Sequence, residues 1–147
     1  MMIFSVLMVG RRAVIQMAEA VLLSIKPKWA NLIFEGKKKI EVRKTKPKLI
    51  KKGTFKVYLY VTGDVKKVIG ECECYYINAM MLNGKELWFF NTKDTCLTEE
   101  ELREYANGGS LYGWHLRNVQ KYDNPKTLAD FGMKRPPQSW CYVQEIR

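Results

Sequence analysis

The sequence is poor in the residues that build common metal centres. It holds one histidine in 147 residues, so a structural zinc site with its usual cysteine and histidine ligands is not expected. Its four cysteines do not read as a paired framework. Cys72 and Cys74 stand two apart in a strand-like run, point to one face and cannot easily bridge each other. Reduced thiols in a cytoplasmic protein fit this pattern. Long hydrophobic runs are missing too. The apolar start MMIFSVLMVG is too short to span a bilayer, and Arg11 and Arg12 follow it, where a secretory signal carries its charges in front. No cofactor, metal or membrane association is expected. Met17 opens MAEAVLLSIKP, which reads like the start of a domain. Residues 1–16 are then an N-terminal extension and 17–147 a single domain, the alternative being that 1–16 add a helix or strand.

Acidic residues are also scarce, fifteen against twenty-five lysines and arginines. The imbalance is local. Residues 26–56 hold twelve basic residues and two acids, Glu35 and Glu41, whereas the rest of the chain holds thirteen of each. A neutral body with one basic segment has the charge distribution of a surface that docks phosphates. A merely solubilising face usually intersperses both signs. Hydrophobic residues make up 47% of the chain and mean hydropathy is −0.28, which describes an ordinary globule and not a disordered chain.

Local patterns divide the chain into short elements. AVLLSIK (20–26) suits a buried strand. Pro27 fits a first helical position and Gly36 a C-terminal cap, which predicts a helix over 27–35 that runs directly into GKKK. KIEVRK (39–44) alternates, with Ile40 and Val42 on one face and Lys39, Glu41 and Arg43 on the other. A lysine-rich loop (44–53) follows, interrupted by Pro47. TFKVYLYVT (54–62) alternates again, with Lys56, Tyr58 and Tyr60 predicted outward. VIGECECYYINAM (68–80) reads as a strand with a bend at Gly70. LWFF (87–90) suits core or a short strand. Thr98 and Glu101 form a capping box, with Leu97 stapled to Leu102, at the head of a helix over 98–107. LYGWHLRNVQKY (111–122) is a strand in one of two registers: Leu111, Gly113, His115 and Arg117 inward, or Tyr112, Trp114, Leu116 and, after a bulge, Val119. TLADFG (127–132) predicts one helical turn and SWCYVQEI (139–146) a closing strand. The sum is an α+β fold: a closed or nearly closed β-barrel of about five or six strands with two or three short helices.

The stretch LLSIKPKWANLIFEGKKKIEVRK resembles the opening of the ASCH domain (activating signal cointegrator homology), a family of the PUA-like superfamily of RNA-associated barrels. The matching positions are Gly36, Lys38, Glu41 and Arg43. VYLYVTG (57–63), VIGECE (68–73) and RPPQSWCYV (135–143) add to the likeness, the last resembling bacterial and phage-type members. The resemblance covers residues 20 to 145. It implies a PUA-like barrel with an RNA- or nucleotide-binding cleft beside the first helix.

The expected ligand-binding residues are Lys26, Gly36, Lys38, Glu41, Arg43, Lys44 and Tyr60. Lys38 is a point charge for phosphate or a base oxygen, Arg43 can fork onto phosphate, and Glu41 can accept from an exocyclic amine. Against this, Glu41 and Arg43 share a strand face, and an exposed pair of that kind contributes only about 0–1 kcal/mol without any site. Tyr58, Tyr60, Tyr112 and Trp114 are candidates to stack bases, although rings of this kind more often pack a core; Trp29 and Trp140 are assigned to packing. One branch of the family comprises acetylcytidine amidohydrolases that use a lysine and, three residues later, a threonine nucleophile. Lys38 matches, but the threonine position is Glu41, which lacks the hydroxyl that chemistry needs. Thr45, Thr54 and Thr62 are other hydroxyls, with no spacing in their favour. The reading is therefore a non-catalytic or regulatory RNA or nucleotide binder that uses a basic cleft at the first helix-to-strand turn. The alternative is a hydrolase or ribonuclease with Lys38 and Glu41 as its catalytic pair or His115 as its base.

Overall fold

The computed structural model describes residues 4–9, 12–17, 19–49, 53–87 and 92–146. Their strands are β1 (Phe4–Val9), β2 (Arg12–Met17), β3 (Glu19–Ile25), β4 (Ile40–Arg43), β5 (Phe55–Val61), β6 (Lys67–Leu82), β7 (Lys85–Glu86), β8 (Leu111–Lys126) and β9 (Trp140–Gln144). The helices are α1 (Pro27–Phe34) and α2 (Glu99–Ala106), with single 3-10 turns at Thr92–Thr95 and Leu128–Phe131. β1 and β2 pair antiparallel as a separate two-stranded sheet, with Phe4 opposite Met17. The main sheet has the order β4-β8-β6-β5-β3-β9, with β7 added beside β6. β3 and β5 run parallel, joined by a crossover that contains α1 and β4. The other pairs of this sheet are antiparallel.

The sheet curls like a barrel but stays open between β4 and β9. Side chains cross this seam. The Arg43 guanidinium on β4 donates to the Ser24 carbonyl (2.8 Å) and to Ser139 Oγ (3.2 Å). Beyond β4, Thr45 receives both Trp114 Nε1 and Trp140 Nε1, through its carbonyl and its Oγ1, and the Lys48 amide donates to Tyr142 Oη at 2.8 Å. The pairing of β4 ends at Arg43, and these hydrogen bonds cross the seam in its place.

Three apolar clusters fill the fold. The first lies inside the curl and joins Leu23, Ile25, Ala30, Ile33, Val57, Leu59, Cys72, Trp114 and Leu116. The second covers the opposite face of the β3–β5 pair and contains Leu22, Tyr58, Tyr60, Val68 and Val143, capped by Leu128 and Phe131. The third seats α2 through Leu102 and Ala106 on Val42, Met80 and Leu111, with Leu97 packed against it. The capping box forms as expected, Glu101 N donating to Thr98 Oγ1 and Thr98 N to Glu101 Oε1 (both 3.1 Å).

Two expectations are corrected. Tyr58 and Tyr60 do not face solvent; they are buried in the second cluster, where the turn at Leu128–Phe131 covers the side that alternation marks as polar. Tyr58 Oη is satisfied there by the backbone of Ile146. On β8, Trp114 and Leu116 turn inward as in the second register, but Val119 is exposed. The bulge needed before it exists, with Asn118 at φ 53° and Arg117 opposite Glu73 while Gln120 stands opposite Glu71. It bends β8 without returning Val119 to the core. Of LWFF, residues 88–90 lie outside the described residues. Gly70 does mark a register shift. A Cβ there would meet the Gln120 carbonyl and, at 2.7 Å, the ring of Phe34. Only glycine lets the end of α1 sit this close to β6.

Candidate nucleotide-binding site

The end of α1 sets the site. The carbonyls of its last turn are taken by the turn that follows: Gly36 N donates to Ile33 O, and Lys37 N and Lys38 N to Leu32 O (all 3.0 Å). Gly36 supports this with φ +77°, a left-handed conformation suited to glycine. The turn aims Lys38 back under the helix. Its ammonium donates to the Thr95 carbonyl at 2.5 Å, lies 3.5 Å from Glu41 Oε1, and stands 5.0 Å from the centre of the Trp29 ring. The 3-10 turn that supplies Thr95 is docked by Lys39 N, which donates to Asp94 O at 2.8 Å.

Glu41 is the hub. Oε1 accepts from the Val42 amide (3.0 Å) and faces Lys38, while Oε2 accepts from Arg43 at 3.0 Å. Lys38 is 2% exposed and Glu41 5%. The weak exposed pair considered from sequence is thus part of a Lys–Glu–Arg triad in which Lys38 and Glu41 are buried and Arg43 half-buried. β4 pairs with β8, so its charged face looks into the curl, Glu41 standing opposite Trp114, and not to water. Burial pulls the Lys38 ammonium below its ordinary pKa, and the neighbouring Glu41 carboxylate only partly offsets this.

A cavity of about 570 Å³ opens on this triad. Ser24, Lys26, Trp29, Thr62 and Gln138 line it together with Leu97, Glu101, Glu104 and Tyr105 from α2 and its approach. Of the residues expected to bind, Lys26, Lys38, Glu41 and Arg43 come together on its wall. Gly36 shapes the turn. Lys44 stands outside the lining, with its ammonium 5.0 Å from the ring of Tyr105, and Tyr60 is in the second core. Lining charges balance: Lys26, Lys38 and Arg43 against Glu41, Glu101 and Glu104. The α2 carboxylates enter from the evenly charged part of the sequence, and only the tertiary fold brings them here. Trp29 both packs on the first core and lines the cavity. Thr62 also lines it, its Oγ1 donating to Ile25 O at 3.3 Å. Ser24 Oγ donates to Pro137 O (2.7 Å), so the RPPQSW segment closes one side.

His115 lies elsewhere, on β8 beside Tyr75 and Tyr76, with Nε2 2.9 Å from Asn78 Oδ1. Sequence reasoning missed Ser24, Gln138, Glu101, Glu104 and Tyr105. Glu101 carries a capping-box signal, which speaks for a helix start and not for a site; the helical spacing of Glu101, Glu104 and Tyr105 is the one usable sign that they share a face.

The family model described as "Domain of unknown function (DUF365)" matches residues 18–133. An ASCH domain-containing ribonuclease of Zymomonas mobilis is 32% identical over 128 residues, covering 84% of this chain and 83% of the relative. The crystal structure of the ASCH protein from Zymomonas mobilis superposes with a TM-score of 0.68 at 26% identity, over 86% of this chain and 88% of that one. A mutant form of the same protein gives 0.71 at 25% identity. The large ribosomal subunit protein uL22 of Ureaplasma parvum is 27% identical over 128 residues, and this chain spans 40% of its length.

Proposed function

This chain belongs to the ASCH domain family, and from that premise we propose that it binds RNA or a nucleotide in the cavity at the first helix-to-strand turn, without cutting it. One observation carries the reading: a buried lysine–glutamate pair and a half-buried arginine meet on the wall of a cavity large enough for a nucleotide. Burying ions costs several kcal/mol each, and a well-packed apolar substitute is often as stable. A triad retained beside a cavity is therefore best understood by what it can hold. Lys38 uses two donors on Thr95 and Glu41 and has a third for a base oxygen or phosphate. Glu41 accepts from an exocyclic amine, and Trp29 and Tyr105 give the base aromatic walls. The exposed lysines around the turn, Lys28, Lys37, Lys39, Lys44 and Lys46, supply the attraction for the phosphate backbone.

The absence of a hydroxyl at Glu41, where the acetylcytidine amidohydrolases carry threonine, supports binding over that chemistry. Ribonuclease action is the second reading. An amine held below its ordinary pKa in contact with a carboxylate is an acid–base couple, and the Zymomonas mobilis relative is named a ribonuclease. Short single-stranded RNAs should be titrated and, in parallel, incubated and run on a gel. Binding that is lost in Lys38→Ala, with the RNA intact, supports the first reading. Cleavage by wild type that disappears in Lys38→Ala and Glu41→Ala replaces it with the second. No change of either kind in these variants removes the cavity from both.

A further inference from the structure

The fork expected of Arg43 is not free for a phosphate. A guanidinium grips a phosphate through two parallel N–H bonds, and each of the two edges that offer such a pair includes Nη2. Here Nη2 donates to the Ser24 carbonyl (2.8 Å) and to Glu41 Oε2 (3.0 Å), which spends both of its hydrogens, while Nη1 donates to Ser139 Oγ. Lys38 keeps one N–H, but beside the Glu41 carboxylate. A donor next to an acceptor suits the edge of a base, which carries both kinds of group. A phosphate diester offers acceptors alone.

The α2 wall points the same way. Glu101 and Glu104 stand at i, i+3 on this helix, line the cavity and are exposed. Arg103, between them in sequence, is paired with Glu86 and is not part of the lining. Capping accounts for Glu101 as a helix residue, but not for a second carboxylate on the same face a turn later. A phosphate brought inside would face both of these and Glu41 as a third like charge. Of the three lining cations, Lys26 alone is exposed, and it comes from the junction of β3 and α1 and not from α2.

We propose that Glu101 and Glu104 act as an anion filter: the base enters the cavity against Trp29 and Tyr105, and its phosphate stays outside, toward Lys26. The inference rests on the proposed function and deepens it, from the class of molecule bound to the end of it that enters. The α2 carboxylates are in this account the specificity-determining residues of the site. They repel phosphate and leave a neutral base unopposed.

The four ribonucleosides, their 5′-monophosphates and inorganic phosphate, titrated by calorimetry at one ionic strength, test the filter. Wild type should bind a nucleoside at least as tightly as its monophosphate, and inorganic phosphate should compete with neither. The variant Glu101→Gln/Glu104→Gln keeps the capping box, because glutamine also serves at that position. In it the ratio of monophosphate to nucleoside affinity should rise at least about threefold. In Lys26→Ala the same ratio should fall. A double glutamine variant with an unchanged ratio overturns the filter, and the cavity reading stands if Lys38→Met has lost both ligands. Nucleoside and monophosphate binding that survives in Lys38→Met overturns the cavity and the filter together. Binding of none of these probes by wild type overturns the filter, and the RNA titration with Lys38→Ala then decides the cavity by itself.

Discussion

Two lysine–glutamate pairs removed from full solvent exposure have similar sequence chemistry and opposite behaviour. In one, Lys38 meets Glu41 at 3.5 Å, both nearly sealed, with Arg43 on the far oxygen. In the other, Lys56 on β5 meets Glu71 on β6 at 3.0 Å, both half-buried, and Glu71 also accepts from Tyr122 Oη at 2.7 Å. Burial lowers the pKa of both lysines. For Lys56 the hydrogen bond and charge of Glu71 more than offset it, and the net shift is upward; for Lys38 burial prevails and the shift is downward. The difference lies first in depth: Lys56 and Glu71 keep some contact with solvent, whereas Lys38 and Glu41 are nearly sealed. Glu71 is shared with one tyrosine hydroxyl, whereas Glu41 is shared with an arginine and a backbone amide beside an open cavity. The first arrangement is complete by itself, and the second has capacity left for a ligand.

Removing each carboxylate should separate the pairs most strongly. Glu41→Ala leaves the buried Lys38 and the half-buried Arg43 without a counter-charge and should cost about 3–5 kcal/mol in urea unfolding. Glu71→Ala exposes a partly solvated lysine and should cost about 1–2 kcal/mol. Similar losses from the two would end the distinction. Arg43→Lys comes next, because it keeps the charge but loses the fork that crosses the β4–β9 seam to Ser24 and Ser139. A loss of about 1–2 kcal/mol is expected, with weaker RNA binding, whereas Lys56→Arg should change neither measurably.

The first of these contrasts was only half legible in the sequence. Gly36, Lys38, Glu41 and Arg43 stood out, since the helix stop and the alternation of β4 are local signals. Their burial did not, because it depends on β8 pairing along β4 and on the turn at Thr92–Thr95, which is remote in sequence. Tyr60 shows the same limit in reverse. Period-two alternation places it outward, yet a second layer formed by Leu128 and Phe131 covers it. Both helices and most strands followed from caps, prolines and periodicity, whereas the order of the strands in the sheet comes from long-range pairing. The α2 side of the cavity is a product of long-range packing and the failed return of Val119 a product of pairing register, neither of which single residues announce.

Titration gives a finer contrast. Lysine amine shifts followed by NMR should place Lys38 below and Lys56 above the ordinary lysine value. Stability should follow with opposite signs. Between the depressed folded value of Lys38 and the unfolded value, the unfolded chain holds more protons, so raising the pH through that window stabilises the fold. The Lys56 contribution is fully present below the unfolded value and is lost as pH rises through its higher folded value. Lys38→Met should remove the first effect and Lys56→Met the second. His115 gives the smallest effect. Its folded pKa is lowered, so its contribution is present above the unfolded value and is lost as pH falls through about 6.5 toward the folded value. His115→Gln should flatten the slope of melting temperature across that range.

The central claim is that the cavity on the Lys38–Glu41–Arg43 triad is where this protein holds RNA or a nucleotide. Fluorescence-anisotropy titration of a short single-stranded RNA at low salt, comparing wild type, Lys38→Met and Lys56→Met, tests it most directly. The account predicts at least about tenfold weaker binding for Lys38→Met, equivalent to roughly 1.4 kcal/mol, a fold as stable as wild type, and unchanged binding for Lys56→Met. Equal affinity of Lys38→Met and wild type, or no RNA binding by the wild type, would contradict it.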